Sequence, residues 1–288
     1  MNRAIVVGVD GSEESMAAAA WAAEEALRRE LPVHLVHARL WQPVDVPVVQ
    51  PSDVQEQAGK DLLNLAEKDL NERYPTVELS AEPVWELAVA ALLKAADRAE
   101  MLVVGSRGHG ALAGFLLGSC GQRVIGECTR PVVAVRARGD GPARREVVVG
   151  QQGDADDSRE VLQFAFETAA ARGAAVRAVR VWSLPPVFAY SADGSLWYAD
   201  QVDRLEREAK AALEAALEPL RERFPDVPVT TQVEMGSPGI MLLEAAEGAQ
   251  LLVVGRRTRR APIGARIGSV AHACLHHAHS PVAVVPHD

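Results

Sequence analysis

Twice in this chain a five-residue apolar run stops on a glycine: Met101–Gly105 reads MLVVG and Leu251–Gly255 reads LLVVG. Such a run is too short for a helix and lacks polar alternation. It fits a strand buried on both faces, as in a parallel sheet covered by helices. The surroundings repeat as well. Ala4–Val9, Val33–Ala38, Val77–Ala81 and Val132–Arg136 read as further strands, separated by helical segments at Glu13–Glu30, Asp53–Arg73, Glu86–Ala99 and Ser119–Thr129. After a polar linker at 137–145 (ARGDGPARR) the order restarts. Glu146–Gly150 and Ala175–Val181 mirror the first two strands and Ser158–Arg172 the first helix. Gly268-Ser269 mirrors Gly118-Ser119, and Ser280-Pro281-Val282 mirrors Arg130-Pro131-Val132. A period of about 145 residues is far beyond any solenoid repeat. Strands alternating with helices imply right-handed βαβ units, so the expectation is a duplicated α/β domain with boundaries at 1–138 and 145–288. The last strand of each half is a natural pairing edge, and a homodimer is a further expectation.

The loop after Gly105 carries Gly108, Gly110, Gly114 and Gly118, and Gly118-Ser119 opens the next helix. Gly105 lets the chain turn off the strand, and Gly108 lets backbone approach a ligand without a Cβ in the way. A Ser-capped helix start adds exposed N–H groups and the positive end of the helix dipole, a phosphate cradle. Each charge-assisted hydrogen bond there is worth about 1.5–3 kcal/mol. The competing reading is a surface loop whose glycines only relieve strain. Gly108-x-Gly110-x-x-Ala113 formally matches a dinucleotide fingerprint, but it does not directly follow a first strand and has no counterpart in the second half. A Walker A Gly-Lys-Ser/Thr occurs nowhere.

The spacing G-x2-G-x9-G-[ST], with a first strand running into Gly8-Val9-Asp10-Gly11-Ser12, resembles the universal stress protein family. The resemblance covers both halves and implies a tandem member. It implies two open five-stranded parallel sheets of order 3-2-1-4-5 with helices on both faces, and a ligand crevice where the order reverses between strands 1 and 4. For ATP-binding members it implies adenine and ribose near Asp10, at the end of the Gly8 strand, and against Ala38. The phosphates would be held by Gly105, Gly108, Gly118 and Ser119, with Ser106, Arg107 and His109 alongside. The implied ligands are ATP and Mg2+, and the implied role is regulatory nucleotide sensing toward an unknown protein partner. Slow hydrolysis through Asp10 or His109, or a nucleotide-free interaction role, are the alternatives. Asp10 also suits an Asx turn or helix cap. One departure is Glu86-Leu87-Ala88, where the family often has G-x-P; the second half has Gly236-Ser237-Pro238.

The second half is not a copy. Gln152 falls where Asp10 stands and Gln151 where Val9 stands. Exchanging a carboxylate for an amide weakens a hydrogen bond by about 1 kcal/mol. Gly255-x2-Thr258-x9-Gly268-Ser269 keeps the spacing but replaces the second glycine, a cost of roughly 1–2 kcal/mol if that position needs a positive φ. Arg256, Arg257, Arg259, Arg260 and Arg266 could hold phosphates by side chain, or form a solvated basic loop. Gly150, Gly255, Arg256, Gly268 and Ser269 are therefore candidates for a weakened or altered second site.

Net charge is −9 over 288 residues and aromatics make up 5%, which argues against a nucleic-acid or anionic-membrane surface and against a base-stacking platform. Without a signal peptide or a span of roughly 18 apolar residues, and with three cysteines in no paired spacing, a reducing cytoplasm is expected. His272, His276 and His279 beside Cys274 read as a solvated helix end rather than a metal site. Cys120, at a helix start, reads as a small buried packing residue rather than an activated thiol. No nucleophile elbow G-x-S-x-G is present.

Overall fold

In the computed structural model, which describes residues 3–38, 52–106, 118–137, 144–154, 156–184, 195–258 and 267–288, the chain divides into two compact units, Met1–Gly139 and Asp140–Asp288. The first runs β1 (Ile5–Gly8), α1 (Glu13–Arg29), β2 (Val33–Ala38), α2 (Ser52–Arg73), β3 (Leu79–Val84), α3 (Ala88–Ala96), β4 (Met101–Gly105), α4 (Ser119–Glu127) and β5 (Val132–Val135). The second runs β6 (Arg144–Gln151), α5 (Arg159–Arg172), β7 (Ala175–Trp182), α6 (Ser195–Arg223), β8 (Val229–Met235), α7 (Pro238–Ala245), β9 (Ala249–Arg257), α8 (Ser269–His277) and β10 (Val282–His287).

Within the first unit the strands lie in the order β3-β2-β1-β4-β5, all parallel, with Ile5 opposite both Val33 and Met101. Within the second the order is β8-β7-β6-β9-β10, again all parallel. Each unit thus has the strand order 3-2-1-4-5. Ile5, Val7, Leu35, Met101, Leu102 and Val103 have no solvent exposure, as continuous apolar strands under two helical layers require. In the first unit α1 packs with α2, and α3 packs with α4. No helix among the described residues is long and apolar enough to cross a membrane.

Local chemistry sets the joints. Ser12 caps α1, its Oγ accepting from the Ser15 N–H at 3.2 Å, and Glu13 and Glu14 occupy the first turn, where the helix dipole favours acids. At the far end Glu30 takes a left-handed φ of 54°, the conformation that Gly173 adopts after α5 with φ 58°. Gly105 is fixed by packing. A Cβ there would sit 2.6–2.7 Å from the backbone of Glu14 and Ser15, so only glycine lets β4 run this close to the start of α1.

Several boundaries differ from the sequence expectation, and three differences have a visible cause. The third strand begins at Leu79, not Val77, because the Val77 N–H is taken by the Tyr74 carbonyl in a turn closing α2. The third helix is Ala88–Ala96 rather than Glu86–Ala99, since Leu87 is extended at ψ 132° and the Ala99 N–H turns back to the Ala96 carbonyl. Ser119 does not cap α4. Gly118 holds the cap position, no side chain caps the helix, and Ser119 is its first residue.

Two stability changes follow. Gly105→Ala should lower the unfolding free energy by about 1–3 kcal/mol, because the clash is with backbone that cannot swing aside. Glu30→Gly should raise it by about 1 kcal/mol by relieving a left-handed non-glycine residue. Urea unfolding midpoints measure both, and the two shifts should have opposite signs.

Candidate functional site

Where the strand order reverses, the crossovers after β1 and β4 leave on opposite faces and open a crevice at the strand ends. In the first unit this crevice encloses about 340 Å³. One wall is the end of β1 with Asp10, together with Ala38 at the end of β2. Ala88 and Leu92 of α3 form another, and Gly105 with the first turn of α4 closes the third side. Gly8 belongs to this wall because Leu92 lies 3.0 Å from where its Cβ would be.

Asp10 stands at the lip in an Asx turn. Its Oδ1 accepts from the Ser12 N–H at 3.0 Å and from the Ser12 hydroxyl at 2.5 Å, while its own N–H donates to Ser15 Oγ at 3.3 Å. Gly11, at φ 82°, makes that turn feasible, with Leu62 packed against it. The local turn role considered for Asp10 is therefore real, and it holds the carboxylate at the crevice mouth. His37 braces the same turn from β2, its Nδ1 2.7 Å from the Val9 carbonyl.

Gly118 and Ser119 are exposed on the crevice at the start of α4. Ser106 is not part of its lining. It is buried, its N–H donates to the Val135 carbonyl at 2.7 Å, and its hydroxyl donates to the same oxygen at 3.2 Å. Arg107, Gly108 and His109 lie outside the described residues. Ala88, Leu92, Cys120 and Gly121 line the crevice although the sequence motif did not single them out as ligand contacts. Cys120 and Gly121 follow directly on Gly118-Ser119 in the first turn of α4, whereas for Ala88 and Leu92 the signal was only the apolar character of α3. Cys120, expected as packing, is half-buried in the wall. Burial pushes its thiol pKa up, the Asp10 charge adds to the rise, and Arg123 opposes it.

The corresponding space in the second unit is about 100 Å³. Gly150, Gly255 and the exposed Gln152 line it, but Arg256, Gly268 and Ser269 do not. Arg256 is buried inside β9, opposite Pro286, instead of standing at a helix start. Thr258 has no positive φ, so the strain considered for it does not arise. Gln151 is buried, and its Nε2 donates to the Gly153 carbonyl and to Ser158 Oγ, both at 3.1 Å. Arg180 donates to Gln151 Oε1 and, at 2.7 Å, to the Gly153 carbonyl.

The histidine segment is corrected in part. His272 and His279 are exposed, but His276 is buried beside Cys274 and stacks on His272 with ring centroids 4.2 Å apart. His272 and His276 share one face a turn apart, so burial changes along α8 rather than around it. Burial and the two neighbouring imidazoles lower the His272 pKa. No group of three or more metal-ligating His, Cys, Asp or Glu side chains occurs among the described residues.

The family model described as "Universal stress protein family" matches residues 1–136 and 144–286. A universal stress protein of Mycobacterium tuberculosis is 34% identical over 291 residues, covering 97% of this chain and 96% of its own length. One from Mycolicibacterium smegmatis is 34% identical over 296 residues, covering 98% and 96%. Among solved structures, a universal stress protein from Archaeoglobus fulgidus superposes with a TM-score of 0.64 at 18% identity, covering 98% of both chains, which is a likeness of fold.

The raised thiol pKa gives a test of the crevice wall. Cys120 should alkylate more slowly than a free cysteine at pH 7, with a rate that keeps climbing above pH 9, since only the thiolate reacts. Cys274, buried and with its pKa pushed up to about 12, should stay unlabelled in the folded protein. Peptide mass spectrometry after timed iodoacetamide labelling reads both.

Proposed function

The chain belongs to the universal stress protein family, and from that premise we propose that its first half binds ATP with Mg2+ as a regulatory nucleotide sensor. The observation that carries the reading is Gly118. Its φ is −57°, which any residue can adopt, and among the described residues no heavy atom lies within 4 Å of where its Cβ would be. Among the described residues neither strain nor packing calls for a glycine there. A ligand brought up against bare backbone at a helix start does, and an anionic one gains from the dipole and unpaired N–H groups.

In this reading Asp10 accepts from a ribose hydroxyl, Ala38 and Gly8 leave room for the adenosine moiety, and Gly105, Gly118 and Ser119 carry the phosphates. Arg107, Gly108 and His109 complete the phosphate set. Mg2+ arrives with the triphosphate, which supplies most of its oxygen ligands, as is usual for this hard cation. Among the described residues no lysine lines the cradle, and the reading is of a binder in the cytoplasm whose occupancy changes the surface met by a protein partner. The two domains are taken as 1–138 and 145–288.

Gly118→Ala should leave the thermal midpoint unchanged and weaken ATP binding by about 10- to 100-fold, the loss of one charge-assisted contact. ATP should protect Cys120 from alkylation in the wild-type protein and not in this variant. Absence of ATP from the denatured purified protein, together with a flat ATP titration, would overturn the proposal. A turnover near 1 s⁻¹ that Gly118→Ala abolishes would make the protein a hydrolase instead.

A further inference from the structure

The two units allow a residue-by-residue comparison of the same crevice. Val7 stands opposite Val103 and Val149 opposite Val253, while Gly8 stands opposite Val36 and Gly150 opposite Val179. Counting outward from these registers pairs Asp10 with Gln152 and Ala38 with Val181. Ala88 and Pro238 are the first residues of α3 and α7, and Cys120 and Val270 the second residues of α4 and α8. Every one of these positions carries a larger side chain in the second unit. The crevice shrinks accordingly, from about 340 Å³ to about 100 Å³.

The far side of the crevice is also tied down. β5 stops at Val135, whereas β10 continues to His287, with Pro286 opposite Arg256 and His287 opposite Arg257. One step on, the Thr258 N–H donates to the His287 carbonyl at 2.7 Å, and the Thr258 hydroxyl donates to Asp288 Oδ1 at 2.6 Å. Thr258 stands where the phosphate motif of the first half has its second glycine. Its N–H, the group such a motif would offer to a phosphate, is committed to the sheet. His287 adds a second obstruction, its Nε2 only 2.7 Å from where a Cβ of Gly255 would be. At the start of α8, Gly268 has φ 83° where Gly118 has −57°, so the helix is entered from a different direction.

We infer that the second half takes no adenine nucleotide. Its crevice is narrowed by Gln152, Val181, Pro238 and Val270, which line it, and the Thr258 N–H and hydroxyl of its phosphate motif are committed to His287 and Asp288. The inference rests on the reading of the first crevice as a nucleotide site. It adds that the duplicated chain is a one-site protein and names the side chains that make it so.

The experiment exchanges the two sets of residues in the full chain and counts bound ATP by equilibrium dialysis. Wild type should hold one ATP per chain. Ala38→Val, Ala88→Pro and Cys120→Val together should hold none. Gln152→Asp, Val181→Ala, Thr258→Gly and His287→Ala together should hold a second. Two ATP per wild-type chain, or one retained in the Ala38/Ala88/Cys120 variant, overturns the inference. Hydrogen exchange at residue 258 reports whether its N–H has been released. Fast exchange there without a second ATP overturns the assignment of exclusion to these residues. If the opened variant does not fold, the Ala38/Ala88/Cys120 variant still decides, by losing or keeping its nucleotide. No ATP on wild type but one on the opened variant would sink the proposed function of the first half and leave this inference standing.

Discussion

The contact between Gly105 and the backbone of Glu14 and Ser15 sets the geometry of the first crevice. It brings the end of β4 against the start of α1, and the chain leaving β1 must then turn sharply through Gly11 to enter that helix. The sharp turn is what places Asp10 at the mouth, held by its Asx hydrogen bonds to Ser12. A methyl group at position 105 would separate strand from helix and loosen the turn as well as the core. In the second unit the same glycine position meets side chains, His287 and Val161, rather than helix backbone. There the helix starts later relative to the strand, at Arg159, and the loop is organised by buried Gln151 and Ser158 with half-buried Arg180. One missing Cβ thus supports two different arrangements, a close strand–helix contact in one half and a space filled by side chains in the other.

The polar network around Gln151 has a clear energetic logic. A buried amide is costly unless its donors and acceptor are used, and here the Nε2 reaches Gly153 and Ser158 while Oε1 receives Arg180. Arg180 also reaches the Gly153 carbonyl, and burial lowers its pKa while Asp154 pulls it back up. The guanidinium is thereby committed to holding a turn. Basic character near a phosphate motif is not in itself a ligand site, and Arg256, buried in a strand, makes the same point.

Most of the architecture was legible in the sequence because its signals are local and strong. Apolar strands such as Met101–Gly105 have no competing interpretation, Ser12 with two following glutamates marks a helix start, and the repeat supplied each reading twice. Boundaries were less legible where a turn's own hydrogen bonds decided them, as at Val77, whose N–H is drawn into the turn closing α2. Ser119 was misjudged as a cap because a glycine before a serine at a helix start leaves either residue able to hold that position. The crevice walls contributed by α3 were hidden because which residues of an apolar helix face a glycine depends on register, not composition. The burial of His276 is not legible because spacing gives its helical face but not where along the helix that face becomes covered.

Cys120 has a consequence in oxidation chemistry. Peroxides attack thiolates, and oxidation proceeds from there to sulfenic and then irreversible sulfinic acids. At the half-buried Cys120 sulfur, burial and the Asp10 carboxylate oppose ionisation while Arg123 favours it, and the net direction is toward the thiol. The direction of that shift is toward a sulfur slower to oxidise than an ordinary surface cysteine. Through the same carboxylate, a cation drawn to Asp10 would favour the Cys120 thiolate, which couples the ionisation of the wall to the charge gathered at the mouth.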